Sequence, residues 1–531
     1  SGPAGTKITL KYRELLKDDG TLDHRNAVYV FSGDFQTDTY ILKGEETEVW
    51  SPRFVYHGYR YVQVEGLPNP PTEDTLRAQV VHTDFETAGE FECSNTLLNR
   101  IQQNARWSYV GNYMGYPTDC PHREKNGWTG DAHLAAEMGL MNFHTGAAYT
   151  KWLDDFADEQ NEAGEYAAII PTCGWGYGIG PSWDCAYVLI PWHVYQYCGD
   201  TRILETHYDN LKRYVDFLGT KADNYMVDYG LGDWCPPLGG SGSHKSPRML
   251  TSTAYYYKDA ELLARMANVL GKPEDAAKYS ALADNIKQAF NERLYDAETG
   301  LYAGDTQTSQ ACALYQGLAT DRDKVFGQLL TQIEAADGHL DCGILGTKYL
   351  MRVLSDFGRT DVAYGIAAKT TFPSWGHWIE QGATTLWERW DGGESHYHIM
   401  FGDVSAWFYA ALAGIAPDAE APGFKRIIMH PRPVPGLTWA RAWHDSPYGR
   451  IASHWQWENG QYRHEIEVPV NASALVYVPD TGAVTEHRRP VAEAEGVEEQ
   501  AGIEGYRVFE VASGSYVFEV PLPSQSDLLR Y

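Results

Sequence analysis

Two segments concentrate residues able to do acid–base chemistry. In residues 119–131, Asp119, Glu124 and Asp131 share thirteen positions with Arg123, Gly127, Trp128 and Gly130. A carboxyl group beside an indole is desolvated, which favours its protonated form and suits a general acid. Arg123 can clamp a neighbouring carboxylate, and the flanking Asp residues can accept hydrogen bonds from hydroxyls. In residues 373–391, Trp375, Trp378, Trp387 and Trp390 alternate with Glu380, Glu388 and Asp391. Glu388, between Trp387 and Arg389, is the better placed acid and Glu380 its competitor. The bland alternatives are a capped helix start for the first segment and an aromatic core strip with surface charges for the second. Close alternation of acids with indoles favours two ligand-facing loops. Such a pair fits cleavage of a glycosidic bond, in which one acid protonates the leaving oxygen and a second carboxylate activates water or attacks directly.

Other loops repeat the theme. Trp175 and Tyr177 sit among glycines, followed by Trp183 and Asp184, and Asp233 and Trp234 follow Gly232. His396 and His398 could begin a metal site, but no third ligand stands at a suitable spacing, so hydrogen-bonding histidines are the expected reading and no metal or cofactor is expected. Ser241 and Ser243 lie in a Gly-rich stretch without the G-x-S-x-G elbow of a serine hydrolase. No Walker loop or dinucleotide fingerprint is present. Asn471-Ala472-Ser473 matches the glycosylation sequon, a weak signal.

These loops need a scaffold, and the chain falls into three zones. Residues 6–90 read as strands, with period-two alternation over residues 59–64 and a Pro-rich loop at 67–71, which predicts a β-sandwich. Residues 92–415 read as amphipathic helices joined by long loops. Ser94 or Asn95 can cap a helix carrying Leu97, Leu98, Ile101 and Ala105 on one face. Residues 275–291 place Tyr279, Leu282, Ala283, Ile286 and Phe290 at helical spacing, after a stop at Gly271 and Pro273. Paired helices over some 320 residues suit a solenoid or a closed barrel, and the lack of a fixed short repeat favours the barrel. Residues 418–531 return to strands, with Asn459-Gly460 predicting a tight hairpin and no sign of chemistry.

The chain of 531 residues is 43% hydrophobic and 21% charged, a globular balance. Lys and Arg total 43 against 71 Asp and Glu, a net charge of −28. That surface repels phosphate backbones and anionic lipid, so neither nucleic acid nor membrane is an expected partner. No run of 18 apolar residues predicts a membrane span. Eight cysteines without a CxxC pair read as free buried thiols, which suits a reducing, cytoplasmic setting. The opening Ser1-Gly2-Pro3-Ala4-Gly5 has the look of a cloning remnant, so a removed leader and a periplasmic or secreted setting stay open.

At its densest loops the sequence resembles the α-L-rhamnosidases of glycoside hydrolase family 78. Residues 119–131 are similar to the family's D-C-P-x-R-(D)-E-[RK]-x-G-W-x-G-D, in the variant one residue shorter before Gly-Trp. Residues 382–391 match G-A-T-T-[IL]-W-E-x-W-D without a gap, and residues 56–61 resemble Y-H-G-F-R-Y. The resemblance covers nearly the whole chain. It implies a multidomain α+β protein with an (α/α)6 barrel catalytic domain over residues 92–417, flanked by β-sandwich domains over 1–91 and 418–531. It implies an exo-acting inverting enzyme with Glu124 as general acid and Glu388 as general base. Asp119, Arg123, Trp128 and Asp131 would line the rhamnose pocket, and His398 aligns with the family histidine. Trp183, Asp184, Asp233, Trp234 and Trp375 would be pocket or subsite residues. The segment between Asp391 and His398 is shorter than in many relatives, and no calcium-dependent binding module is expected.

The expected substrate is a terminal α-L-rhamnoside of a plant glycoside or oligosaccharide, and the expected assembly a monomer or homodimer. A hydrolase for another sugar keeps the same barrel. A sugar-binding protein without catalysis would carry Gln, Ala or Ser at position 124 or 388, whereas both are Glu.

Overall fold

A computed structural model describes residues 1–30, 35–239 and 244–522 of the chain; Ser241 and Ser243 lie outside them. The N-terminal module is built on Lys7–Arg13, which pairs antiparallel with Thr37–Ile41 on one side and Tyr61–Glu65 on the other. A two-residue ladder, Leu15–Leu16 with Leu22–Asp23, follows the central strand. Residues 66–85 form no strand, and Pro68, Pro70 and Pro71 supply no amide to a ladder. The module is therefore β-rich, but among the described residues it holds one three-stranded sheet where two facing sheets were expected.

The central zone is helical. Asn95 caps its first helix, Thr96–Gly111, by accepting a hydrogen bond from Leu97 N at 2.9 Å, and Leu98, Ile101 and Ala105 are buried. Six later helices, Thr129–Asn142, Ala186–Cys198, Arg248–Val269, Gln307–Tyr315, Ile344–Asp356 and Asp403–Trp407, each contact the next, and the last touches the first. Others pack outside them, as Pro273–Leu294 does along Arg248–Val269. Thr129–Asn142 is buried on every side, which its run of Ala, Gly and Met allows. Inside the ring, Lys348 Nζ lies 2.8 Å from Glu137 and 3.2 Å from Asp403, with Arg352 Nε 3.1 Å from the same Asp403. These charges are buried but mutually paired. Residues 119–128 run into Thr129–Asn142 and residues 382–402 run into Asp403–Trp407, and these two helices contact each other.

The C-terminal zone holds two sheets, one of five strands and one of seven. The expected hairpin joins Gly449–Glu458 to Gln461–Val468 through Asn459 and Gly460, both at positive φ, as a tight two-residue turn requires. Phe509 of one sheet stacks on Phe518 of the other at 5.6 Å. The edge of the seven-stranded sheet comes from far upstream: Gly89–Cys93 pairs with Trp439–Ser446. No helix among the described residues is long and apolar enough to cross a membrane.

Candidate active site

The loop at 119–126 closes on itself. Asp119 N donates to Asn126 O at 3.0 Å, and Asn126 N donates to Asp119 Oδ1 at 2.9 Å. The second oxygen, Oδ2, accepts from the Cys120 thiol at 2.7 Å. Burial, and then the nearby Glu124 charge, push the Asp119 carboxyl well above its usual range. The N-terminal module presses on this loop at Gly58, where a Cβ would come within 2.7 Å of Pro121 Cγ and 2.8 Å of His122 N. Only glycine permits that approach, which gives the 56–61 motif a physical role. Lys125 Nζ donates to Tyr56 O at 2.5 Å from the other side.

Arg123 is the hub. Its Nη2 donates to Glu388 Oε2 at 2.7 Å, its Nη1 donates to Glu394 Oε2 at 2.5 Å, and its Nε lies 3.8 Å from Glu124 Oε1. One guanidinium thus touches both expected catalytic carboxylates. Those contacts, joined by a planar fork, bound the two contacting oxygens at no more than about 9 Å apart. Trp128 Nε1 donates to Glu124 Oε2 at 2.8 Å and fixes that carboxyl from the opposite side.

Glu388 is held by its own loop. Its amide donates to Ser395 O at 2.9 Å, and Ser395 N returns a bond to Glu388 Oε2 at 3.0 Å. His398 N donates to Leu386 O at 2.9 Å, so the short 391–398 segment folds back as a ladder around the carboxylate. His398 Nε2 lies 3.0 Å from Asp131 Oδ1, and its Nδ1 lies 3.8 Å from Glu388 Oε2. Burial alone would lower the His398 pKa. The charges of Glu388, Asp131 and Asp119 outweigh it and lift the imidazole to about 9.

A group whose folded pKa is raised from 6.5 to about 9 contributes stability in full below 6.5 and loses it as pH climbs through 9. The wild-type protein is therefore expected to lose on the order of 3 kcal/mol across that window. Urea unfolding at pH 6 and pH 9.5 should show a smaller decline for His398→Gln; equal declines would remove the assignment.

Asp119, Cys120 and His398 bring potential ligand atoms within 4.8 Å of one another. In this arrangement Cys120 Sγ donates to Asp119 Oδ2, and His398 Nε2 lies 3.0 Å from Asp131 Oδ1. His396 does not join them. It stacks on Trp387 at 3.9 Å, and its Nε2 meets Gly392 O at 2.8 Å.

Glu124, Glu388, Asp119, Arg123, Trp128, Asp131 and His398 thus converge, while the other expected pocket residues make contacts of their own. Trp375 is 1% exposed, stands edge-on to Trp390 at 5.4 Å and belongs to an aromatic core with Trp378 and Phe401. For that indole the core-strip reading holds. Asp233 is a structural cap: its two oxygens accept from the amides of Gly343, Leu345 and Gly346 and from the Thr308 hydroxyl, satisfying the start of Ile344–Asp356. Asp184 is fully buried, and its carboxyl is pushed well above the usual range by burial and then by Glu165. Trp183 is buried against Gly130, where a Cβ would meet its Nε1 at 2.4 Å, and it stands edge-on to the half-buried Trp234.

Sequence reading missed three residues that shape the site. Glu394 is the second carboxylate on Arg123, in a segment noticed only for its shortness. Glu14 and Asn26 come from the N-terminal module. Glu14 Oε2 accepts from His396 N at 3.0 Å and from Asn26 Nδ2 at 2.6 Å, while Asn26 O accepts from His122 and from Arg123 Nη1. No local pattern marks them.

The bacterial alpha-L-rhamnosidase 6 hairpin glycosidase domain matches residues 86–412, with the family's concanavalin-like domain at 1–82 and its C-terminal domain at 414–492. An alpha-L-rhamnosidase of Streptomyces avermitilis is 37% identical over 98% of this chain and 50% of its own length. A solved alpha-L-rhamnosidase of that organism, complexed with L-rhamnose, superposes with a TM-score of 0.90 at 36% identity, covering 98% of this chain and 50% of the other. The alpha-L-rhamnosidase of Dictyoglumus thermophilum gives a TM-score of 0.91 at 41% identity, covering 98% and 59%. The chain spans about half the length of the curated relatives it matches. With all three family domains found in order along it, the chain belongs to the bacterial α-L-rhamnosidase family.

Proposed function

We propose that this chain is an exo-acting, inverting α-L-rhamnosidase that releases terminal α-L-rhamnose from plant glycosides or oligosaccharides. The observation that carries the reading is the Arg123 bridge, which contacts both Glu124 and Glu388 and keeps the contacting oxygens within about 9 Å of each other. That bound admits the separation of about 6.5–9.5 Å that leaves room for a water between acid and base, and also the about 5–5.5 Å of a retaining pair, which the anomer released first distinguishes. The rhamnose complex of the 36%-identical Streptomyces avermitilis protein supports the choice of sugar. The closed contact order of the six inner helices supports an (α/α)6 barrel spanning 92–417, between modules at 1–91 and 418–531.

In this mechanism Glu124 gives its proton to the glycosidic oxygen as the bond to C1 breaks. A water on the opposite face of the ring gives a proton to Glu388, and its oxygen bonds to C1, so α-linked rhamnose leaves as the β anomer. Arg123 and Ser395 both donate to Glu388 Oε2, which fixes that oxygen; we assign the proton transfer to Oε1. Asp119, Asp131 and His398 hold the sugar hydroxyls.

Proton NMR of p-nitrophenyl α-L-rhamnoside during turnover tests this. The β anomer of rhamnose is expected to appear first and then mutarotate. The α anomer first would overturn inversion, and no rhamnose release would overturn the activity.

A further inference from the structure

Three indoles among the described residues are strongly exposed: Trp50, Trp107 and Trp175. Trp175, 47% exposed, is the one whose ring meets the acid loop. It stands edge-on to Trp128, with centroids 5.9 Å apart and planes at 85°. Trp128 in turn holds Glu124 through its Nε1. Of the two glutamates, Glu124 is the more open, its side chain 22% exposed against 8% for Glu388. A general acid must face the oxygen of the departing group. The leaving group therefore lies on the side where Glu124, Trp128 and Trp175 open to solvent.

The Trp175 loop is set before any ligand arrives. Thr172 Oγ1 accepts from the amides of Gly174 and Trp175, each at 3.2 Å. Gly176 O accepts from Ala168 N at 2.8 Å, the Tyr177 hydroxyl donates to Glu159 O at 2.7 Å, and Gly178 N donates to Glu165 Oε1 at 2.8 Å. An indole held on both flanks loses little freedom when a ring covers it.

We propose that Trp175 is the platform of a leaving-group subsite, on which the first ring of the departing group stacks, either an aryl ring or the apolar face of a sugar. The proposal rests on the rhamnosidase reading above and extends it to the far side of the scissile bond. A stacked ring contributes a modest, ring-specific gain, so its loss is expected to cost about fivefold to tenfold.

The test compares kcat/KM for benzyl α-L-rhamnoside, rhamnosyl-α-1,6-glucose and methyl α-L-rhamnoside in the wild type, Trp175→Ala and Trp175→Phe. Trp175→Ala is expected to lower kcat/KM about fivefold to tenfold for a ring-bearing substrate relative to the methyl glycoside, mainly through KM. Trp175→Phe should recover most of that loss. A loss confined to the benzyl compound identifies an aryl leaving group, and one confined to the disaccharide identifies a sugar. Equal loss on all three substrates, or none, overturns the platform. Wild-type protein that releases rhamnose from no substrate overturns the rhamnosidase reading itself, a result distinct from either.

Discussion

Glu388→Gln is expected to abolish turnover, lowering kcat by about 10²–10⁴-fold, the range removed with a general base. The amide keeps the volume and can still accept from Arg123 and Ser395, so the unfolding midpoint should move far less than the rate. Glu124→Gln is expected to be as severe on alkyl rhamnosides but milder on p-nitrophenyl rhamnoside, because nitrophenolate departs without a proton. The asymmetry separates the roles: the base is needed for every substrate, the acid only for basic leaving groups. Steady-state kinetics on the two substrates measures it. Equal loss in both variants on both substrates would remove the division of labour, and full activity in either would remove that residue from the mechanism.

Arg123→Met should be the most damaging substitution for stability. The guanidinium side chain is 2% exposed and pairs with Glu388 and Glu394, whose side chains are 8% and 12% exposed. Removing the cation takes away the buried charge that both carboxylates share, at a cost of about 3–5 kcal/mol. Activity should fall with it, because Glu388 then keeps Ser395 N and His398 to orient it but loses the contact that ties it to Glu124. Adding Glu394→Gln to Arg123→Met removes one of the two negative charges that Arg123 balanced and should recover part of the stability but none of the activity. Urea unfolding of the single and double variants, beside kcat for each, tests this. A single variant as stable as wild type would mean that the bridge is not structural. Arg123→Lys keeps the charge but loses the planar fork, so it should fall between the two.

The acid and base loops could be read from sequence because their chemistry is local. Glu124, Trp128 and Asp131 come from one loop and the helix it enters, and Glu388 and His398 close one ladder with Ser395. The Asn95 cap and the Asn459-Gly460 turn are local too, and both stand as expected. What the sequence left open depends on distant packing. Trp375 and Asp233 have side chains equally suited to a sugar pocket, a core or a helix cap, and their surroundings decide which. Glu14 reaches His396 across 382 positions, a contact without local periodicity. The N-terminal sandwich is read from period-two alternation and turn residues, and among the described residues the stretch after the prolines at 68, 70 and 71 adds no strand before Gly89–Cys93.

The pairing of Gly89–Cys93 with Trp439–Ser446 means that sequence modules and physical modules have different borders. A chimaera cut near residue 414, following the family-domain limits, would carry the C-terminal sheet away from its outermost strand. The row of amides and carbonyls along Trp439–Ser446 would then be bare, an invitation to intermolecular pairing and precipitation. Grafting that tail onto another scaffold would have to bring residues 89–93 along, or supply a substitute strand at the same register.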